Sequence, residues 1–152
     1  MSKLIVLTGI PGSGKSTYAE EYARRHPKTS IVASDKLRRE LFGRVDDFSH
    51  EDILWERFEK MIVDKSRRFD VVIADSSAST NARRLRWAKL FRPSFNEIEL
   101  VFFDIPFALC LKRNEMREVK IPRADMLIMR ETFEKLTEEV ASAYDDVIAI
   151  KS

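Results

Sequence analysis

The sequence predicts an α/β fold in which a five-stranded parallel sheet is covered by helices on both faces. Two observations carry that expectation. Short apolar runs alternate with longer segments of helical periodicity along the chain, the pattern of strands buried on both sides and joined by crossover helices. The first apolar run, Leu4-Ile5-Val6-Leu7, leads straight into Gly9-Ile10-Pro11-Gly12-Ser13-Gly14-Lys15-Ser16, a glycine-rich turn of the kind that joins a strand to a helix around a phosphate. With 152 residues and 44% hydrophobic content, one domain with a proper core is expected.

Taken in order, Lys3 to Leu7 reads as the first strand. In the loop behind it, small residues let successive backbone N–H groups turn inward, Lys15 reaches the outer phosphates and the Ser16 hydroxyl takes Mg²⁺. Gly12, Ser13, Gly14 and Thr17 complete the cradle. Thr17 to Arg25 then carries Tyr18, Ala19, Tyr22 and Ala23 at helical spacing, so a helix leaves the loop with its positive end on the phosphates until His26-Pro27 stops it. Binding of a nucleoside triphosphate is the direct expectation.

Ser30 to Ala33 is a second short strand and Lys36 to Leu41 a helix, followed by a loop over Gly43 to Ser49. Glu51 to Phe69 is a long amphipathic helix with Ile53, Leu54, Phe58, Met61 and Ile62 inward. Val71 to Ala74 is the third strand, ending at Asp75. After the polar connection Ser76 to Asn81 comes a basic helix on which Leu85, Ala88 and Phe91 share one face, terminated by Pro93. Glu97 to Asp104 is the fourth strand, and Pro106 opens a helix through roughly Arg117. Val119 to Pro122 breaks the pattern, Ala124 to Ala143 is largely helical, and Val147 to Ile150 closes as a fifth strand. The whole fits a compact P-loop NTPase of the kinase type.

Composition narrows the function classes. Twenty-seven basic against 25 acidic residues leave a net charge of +2, which argues against wholesale wrapping of nucleic acid. The charge is polarised, however: Thr80 to Pro93 holds Arg83, Arg84, Arg86, Lys89 and Arg92 with no acid, either a solvated face or an attractor for a phosphate-rich substrate. Cys110 is the single cysteine, in an apolar setting that reads as a buried structural thiol, and His26 and His50 read as surface or capping residues, so no zinc site is implied. Trp55 and Trp87 sit in apolar helical patterns and read as core or half-buried packing. No apolar run reaches membrane-spanning length and the N-terminus lacks a leader pattern, so a soluble, cytoplasmic protein with no membrane partner is expected; oligomeric state is not encoded legibly.

In open parallel sheets, ligands gather at the carboxyl ends of the strands. Asp35 follows the second strand there, with Arg38 three residues on and on the same helical face. That pairing suits a carboxylate accepting the proton of an attacking hydroxyl and a guanidinium holding an anion, although a helix cap and a solvated charge have the same spelling. Asp75 ends the third strand in the manner of an acceptor-side residue or a ligand to a Mg²⁺-bound water; Ser76 after it departs from the acidic pair of ATP-hydrolysing motors. Arg113 and Arg117, four apart, share one face of a continuous helix.

The ordered set resembles the P-loop polynucleotide 5′-hydroxyl kinases nearly end to end. The resemblance rests on residues 9–17, Asp35 with Arg38, Ile73-Ala74-Asp75 followed by Asn81 and Arg83-Arg84, Phe103-Asp104-Ile105-Pro106, and Lys112-Arg113-Asn114 with Arg117. It implies ATP as phosphoryl donor with Mg²⁺, and 5′-hydroxyl DNA or RNA ends as acceptor. Lys15 would contact the donor phosphates, Ser16 would help hold Mg²⁺, and Asp35 would be the general base. Arg38 would bind the 3′-phosphate of the acceptor's first nucleotide, Asp75 would support the acceptor, and Arg113 and Arg117 would belong to a short helical lid over the donor at approximately 113–123, Arg117 on the transferring phosphate. An Asp-x-Asp nucleophile pattern is missing, so healing of 3′-phosphate ends is not expected. A P-loop kinase of a small metabolite, drug or nucleotide-like acceptor keeps the same donor site, and a non-catalytic nucleotide switch is the third reading.

Overall fold

A computed structural model describes residues 2–151. Its sheet has five strands, β1 (Lys3–Thr8), β2 (Thr29–Ala33), β3 (Val71–Asp75), β4 (Glu97–Phe103) and β5 (Asp146–Ile150), in the spatial order β2-β3-β1-β4-β5. Every pairing is parallel, with Leu4 facing Val72 on one side and Ile98 on the other. The chain runs outward from β1 to β2, returns through β3, then crosses to β4. The reversal at the carboxyl end of β1 opens the crevice in which such sheets bind ligands.

Seven helices connect the strands: α1 (Lys15–Arg25), α2 (Ser34–Phe42), α3 (Glu51–Ser66), α4 (Asn81–Phe91), α5 (Phe107–Glu115), α6 (Arg123–Thr132) and α7 (Glu138–Ala143). Successive β1 residues alternate between two cores. Leu4 and Val6 join Phe58, Ile62, Trp87 and Phe91 under α3 and α4, whereas Ile5 and Leu7 join Ala19, Val101 and Phe103 under α1. Phe58 and Trp87 stack at 5.4 Å between ring centres, and Trp87 Nε1 donates to Glu59 at 2.8 Å, so the largest buried ring leaves no orphan donor. Cys110 is buried, as its apolar setting predicts. Among the described residues, no helix is long and apolar enough to cross a membrane.

The structure corrects several expectations. Helix α3 buries Leu54, Phe58 and Ile62 at a spacing of four, so Ile53, one residue off that stripe, is 51% exposed, and the helix stops at Ser66 before reaching Phe69. Helix α4 buries Arg84 and Trp87 beside Ala88 and Phe91, while Leu85 is half-buried. The stretch expected to be helical from Ala124 to Ala143 is two helices. Between them Glu134 donates its N–H to Ser79 O at 2.9 Å and Asn81 Nδ2 donates to Lys135 O at 2.8 Å, pairings that compete with helical ones.

Candidate active site

The cleft lies at the carboxyl ends of β1, β2 and β3, has a volume of about 1050 Å³, and is walled on the far side by the α5–α6 connection and α6. Its floor is the loop 9–14. Gly12 has φ +83° and packs so close beneath α5 that a Cβ would lie 2.5 Å from Cys110 O, so no other residue fits. Gly14, φ 99°, occupies the N-cap of α1, and Lys15 and Ser16 form that helix's first turn. Half-buried Lys15 donates from Nζ to Ile10 O at 3.1 Å. Burial pulls its ammonium below the usual lysine range, while the carboxylates of Asp75 and Asp35 pull the other way.

Ser16 Oγ donates to Asp75 Oδ2 at 2.9 Å. Asp75 is 7% exposed, and that burial pushes its carboxyl above the usual range despite Lys15 and the Ser16 bond. A buried carboxylate so weakly compensated, beside a hydroxyl at the mouth of a phosphate loop, is the donor set of a hard divalent cation that also takes phosphate and water oxygens. No group of three or more His, Cys, Asp or Glu residues among the described ones forms an all-protein cage, which Mg²⁺ does not need. The residues present therefore fit Mg²⁺ with a nucleotide. Buried Ser76, next in the chain and lining the cleft, has a hydroxyl with no partner among the described residues.

Opposite lies Asp35, in the first turn of α2, with its side chain 58% exposed. Arg38 Nη1 donates to Asp35 Oδ1 at 3.0 Å, while Arg38 Nε and Nη2 meet Glu51 Oε2 and Oε1 at 3.2 and 2.9 Å. Val45 O accepts a fourth bond at 3.3 Å, and the Phe48 ring lies 4.7 Å from the guanidinium. The fork of Arg38 is thus committed to protein groups, and its side chain is 4% exposed. The expected open anion grip is instead a clamp that fixes Asp35. Asp35 Oδ2 accepts no hydrogen bond among the described residues and remains for a ligand.

Arg113 leaves the last turn of α5 and donates to Gly12 O at 3.3 Å, so it does lie over the loop. The shared helical face expected for Arg113 and Arg117 does not exist, because α5 ends at Glu115. Arg117 belongs to the loop that follows, yet lines the cleft and acts on Lys15 electrostatically. The segment 116–122 is a loop rather than a helical lid. Buried Asn114 closes it, accepting from Ile121 N at 3.1 Å and donating to Ile121 O at 2.7 Å.

The basic helix divides by residue. Fully buried Arg84 donates to Ala78 O at 2.7 Å, Asn81 Oδ1 at 2.7 Å and Glu134 O at 2.9 Å, and to Thr8 Oγ1 at 3.1 Å, tying the end of β1 to the 76–80 loop. In that loop Ala78 adopts φ 43°, the only positive φ outside glycine among the described residues. Arg86 forms a bidentate pair with Glu59, and half-buried Arg83 lies with its guanidinium 4.0 Å from the centre of the Trp55 ring, at the cleft. Sequence reasoning gave Glu51 and Asn114 no role of their own and missed the separate fates of these arginines. Glu51 stands 13 residues from Arg38 with no spacing rule to link them.

A family profile described as "AAA domain" matches residues 4–136, and the chain belongs to that family. It is 28% identical over 134 residues to an L-seryl-tRNA(Sec) kinase of Methanococcus maripaludis, an alignment covering 86% of this chain and 52% of that protein. A chain of the Pnkp1/Rnl/Hen1 RNA repair complex superposes with a TM-score of 0.73 at 21% identity, over 95% of this chain and 46% of that one. A gluconokinase from Sinorhizobium meliloti superposes with a TM-score of 0.63 at 22% identity, over 98% and 82% of the two chains. This chain spans about half the length of the first two. The fold is that of a nucleotide-binding P-loop kinase domain, as the sequence predicts.

Proposed function

We propose that this P-loop kinase domain transfers the γ-phosphate of ATP to the 5′-hydroxyl end of DNA or RNA. The observation that carries the reading is the position of Asp35: an exposed carboxylate, held by Arg38, which Glu51 fixes in turn, in the same cleft as Lys15, Ser16 and Asp75. Phosphoryl transfer asks a protein for positioning and charge neutralisation more than covalent chemistry. The N–H groups of residues 12–17 and Lys15 hold the donor phosphates. Ser16 and Asp75 hold Mg²⁺, which when bound neutralises phosphate charge; this moves Asp75 from the acceptor to the donor side. Asp35 Oδ2 receives the proton of the attacking hydroxyl. Arg113 closes over the loop and Arg117 meets the charge on the transferring group. Arg38 orients Asp35, and it takes an acceptor phosphate only by releasing Glu51.

The nucleic-acid acceptor is supported by the motif resemblance and by likeness to a tRNA-directed kinase and to a chain of an RNA repair complex. A small-metabolite acceptor is favoured by a different observation, the near-complete mutual coverage with the gluconokinase. Incubation with γ-labelled ATP, Mg²⁺, 5′-hydroxyl DNA and RNA oligonucleotides and a panel of sugars and other alcohols decides between them. Label on the 5′ ends is expected. Label only on a small alcohol transfers the site to the second reading, and nucleotide binding with no labelled acceptor returns it to a switch.

A further inference from the structure

A second groove, of about 560 Å³, adjoins the cleft and shares Trp55, Thr80 and Arg83 with it, so one wall runs continuously from Asp35 to the space between α3 and α4. Arg83 is the distinctive residue of that wall. Its guanidinium makes no hydrogen bond or ion pair among the described residues, although Arg38, Arg84, Arg86 and Arg92 are all tied to protein groups. Two of the neighbouring acids are already taken. Glu59 receives Arg86 through both oxygens and Trp87 Nε1 as well, and Glu51 receives Arg38 through both oxygens.

Burial lowers the pKa of Arg83 from the usual arginine value, but arginine keeps its charge throughout the accessible range. It is therefore a half-desolvated cation held by stacking, 4.0 Å from the Trp55 ring centre and 5.5 Å from that of Trp87. Stacking occupies the faces of a guanidinium and leaves its in-plane N–H donors for a planar or tetrahedral oxyanion. Beyond it, Asp52 and Glu56 line the groove. Those carboxylates repel a further phosphate but accept from the amino and imino groups of a nucleobase.

We propose that Trp55 and Arg83 build a subsite for the second nucleotide of the acceptor, the phosphate on its 3′ side on Arg83 and its base in the groove between Trp55 and the acids. The assignment rests on the polynucleotide reading above and makes the enzyme selective for acceptor length. The test compares kcat/KM for a nucleoside 3′-phosphate with that for the matching 5′-hydroxyl dinucleotide bearing a 3′-phosphate, in wild-type protein, Arg83→Gln and Arg83→Lys. Folding is checked by circular dichroism and melting temperature.

The wild type prefers the dinucleotide by about tenfold, the worth of one base platform and one phosphate contact. In Arg83→Gln that ratio falls towards one, and the salt dependence of log kcat/KM for the dinucleotide becomes shallower by about 0.7 per decade of salt, a change that loss of packing alone does not produce. Arg83→Lys, which keeps the charge without the stacked fork, gives an intermediate ratio, and it carries the test if Arg83→Gln fails to fold. A wild-type ratio near one, or the same ratio in the variants, overturns the subsite while leaving the kinase reading intact. If no 5′-hydroxyl acceptor of either length is phosphorylated while another alcohol is, the parent reading fails and the subsite fails with it.

Discussion

The two walls of the cleft are built on different principles. The wall proposed for the donor is a contiguous stretch, residues 9–17, whose shape is set by the backbone, with Gly12 and Gly14 at positive φ and Gly12 too close to Cys110 O for a Cβ. The wall proposed for the acceptor is assembled from side chains of α2, α3 and α4 that meet only in the folded protein, with Arg38 of α2 held by Glu51 of α3 and Arg86 of α4 held by Glu59 of α3. A backbone cradle is specified locally and tolerates change elsewhere in the molecule. A side-chain wall is specified globally, so a single substitution shifts its neighbours as well.

The largest expected effect is on the donor wall. Lys15→Ala removes the one ammonium of the cradle and lowers transfer by on the order of 10³-fold or more, measured with labelled ATP, with circular dichroism unchanged. On the other wall the test is stability. Arg84→Met removes the donors that a fully buried guanidinium gives to Thr8, Ala78, Asn81 and Glu134, leaving Ala78 O with the Thr8 hydroxyl alone, and costs about 3 kcal/mol in urea unfolding, whereas Arg83→Gln next to it costs less than about 1 kcal/mol. Equal losses at the two positions would erase the distinction drawn between them.

Glu51→Gln tests the clamp. Arg38 loses one of its two charged partners, Asp35 is held less firmly, and kcat falls about tenfold while the KM for ATP stays the same. A matching rise in the KM for ATP would place Glu51 on the donor side instead.

The smallest effect is thermal. Burial raises the folded-state pKa of Asp75 above its unfolded value, so the stability it contributes is fully present below the usual carboxylate pKa and is lost as pH rises through the folded value. Asp75→Asn removes that loss. The unliganded variant should therefore melt above wild type at pH 7, with the gap closing towards pH 4, and Mg²⁺ with ATP should raise its melting temperature less than they raise that of wild type.

The same contrast explains what could be read from the chain. The strands, the loop and the first helix were legible because each is written in consecutive residues: Leu4 to Leu7 alternates between two cores, and Lys15 follows Gly14 in every reading of the motif. The acceptor side was legible only as residue types. Nothing in Asn81-Ala82-Arg83-Arg84-Leu85 tells which arginine enters the core, because that depends on Thr8 and Glu134, 76 and 50 residues away. The end of α5 at Glu115 was equally hidden, since Asn114 closes the following loop on Ile121 in competition with another helical turn. Strand order, too, is a property of the packed sheet and not of any one strand.

The central claim is that a clamped carboxylate on the acceptor wall faces a nucleotide held on the opposite one. Asp35→Asn tests it most directly, with single-turnover transfer from labelled ATP to a 5′-hydroxyl oligonucleotide measured beside ATP affinity by calorimetry. The account predicts transfer slowed by about 10²- to 10⁴-fold with ATP affinity within about threefold of wild type, the split expected of a general base that does not touch the donor. Loss of ATP affinity in parallel with transfer, or transfer at the wild-type rate, would contradict it.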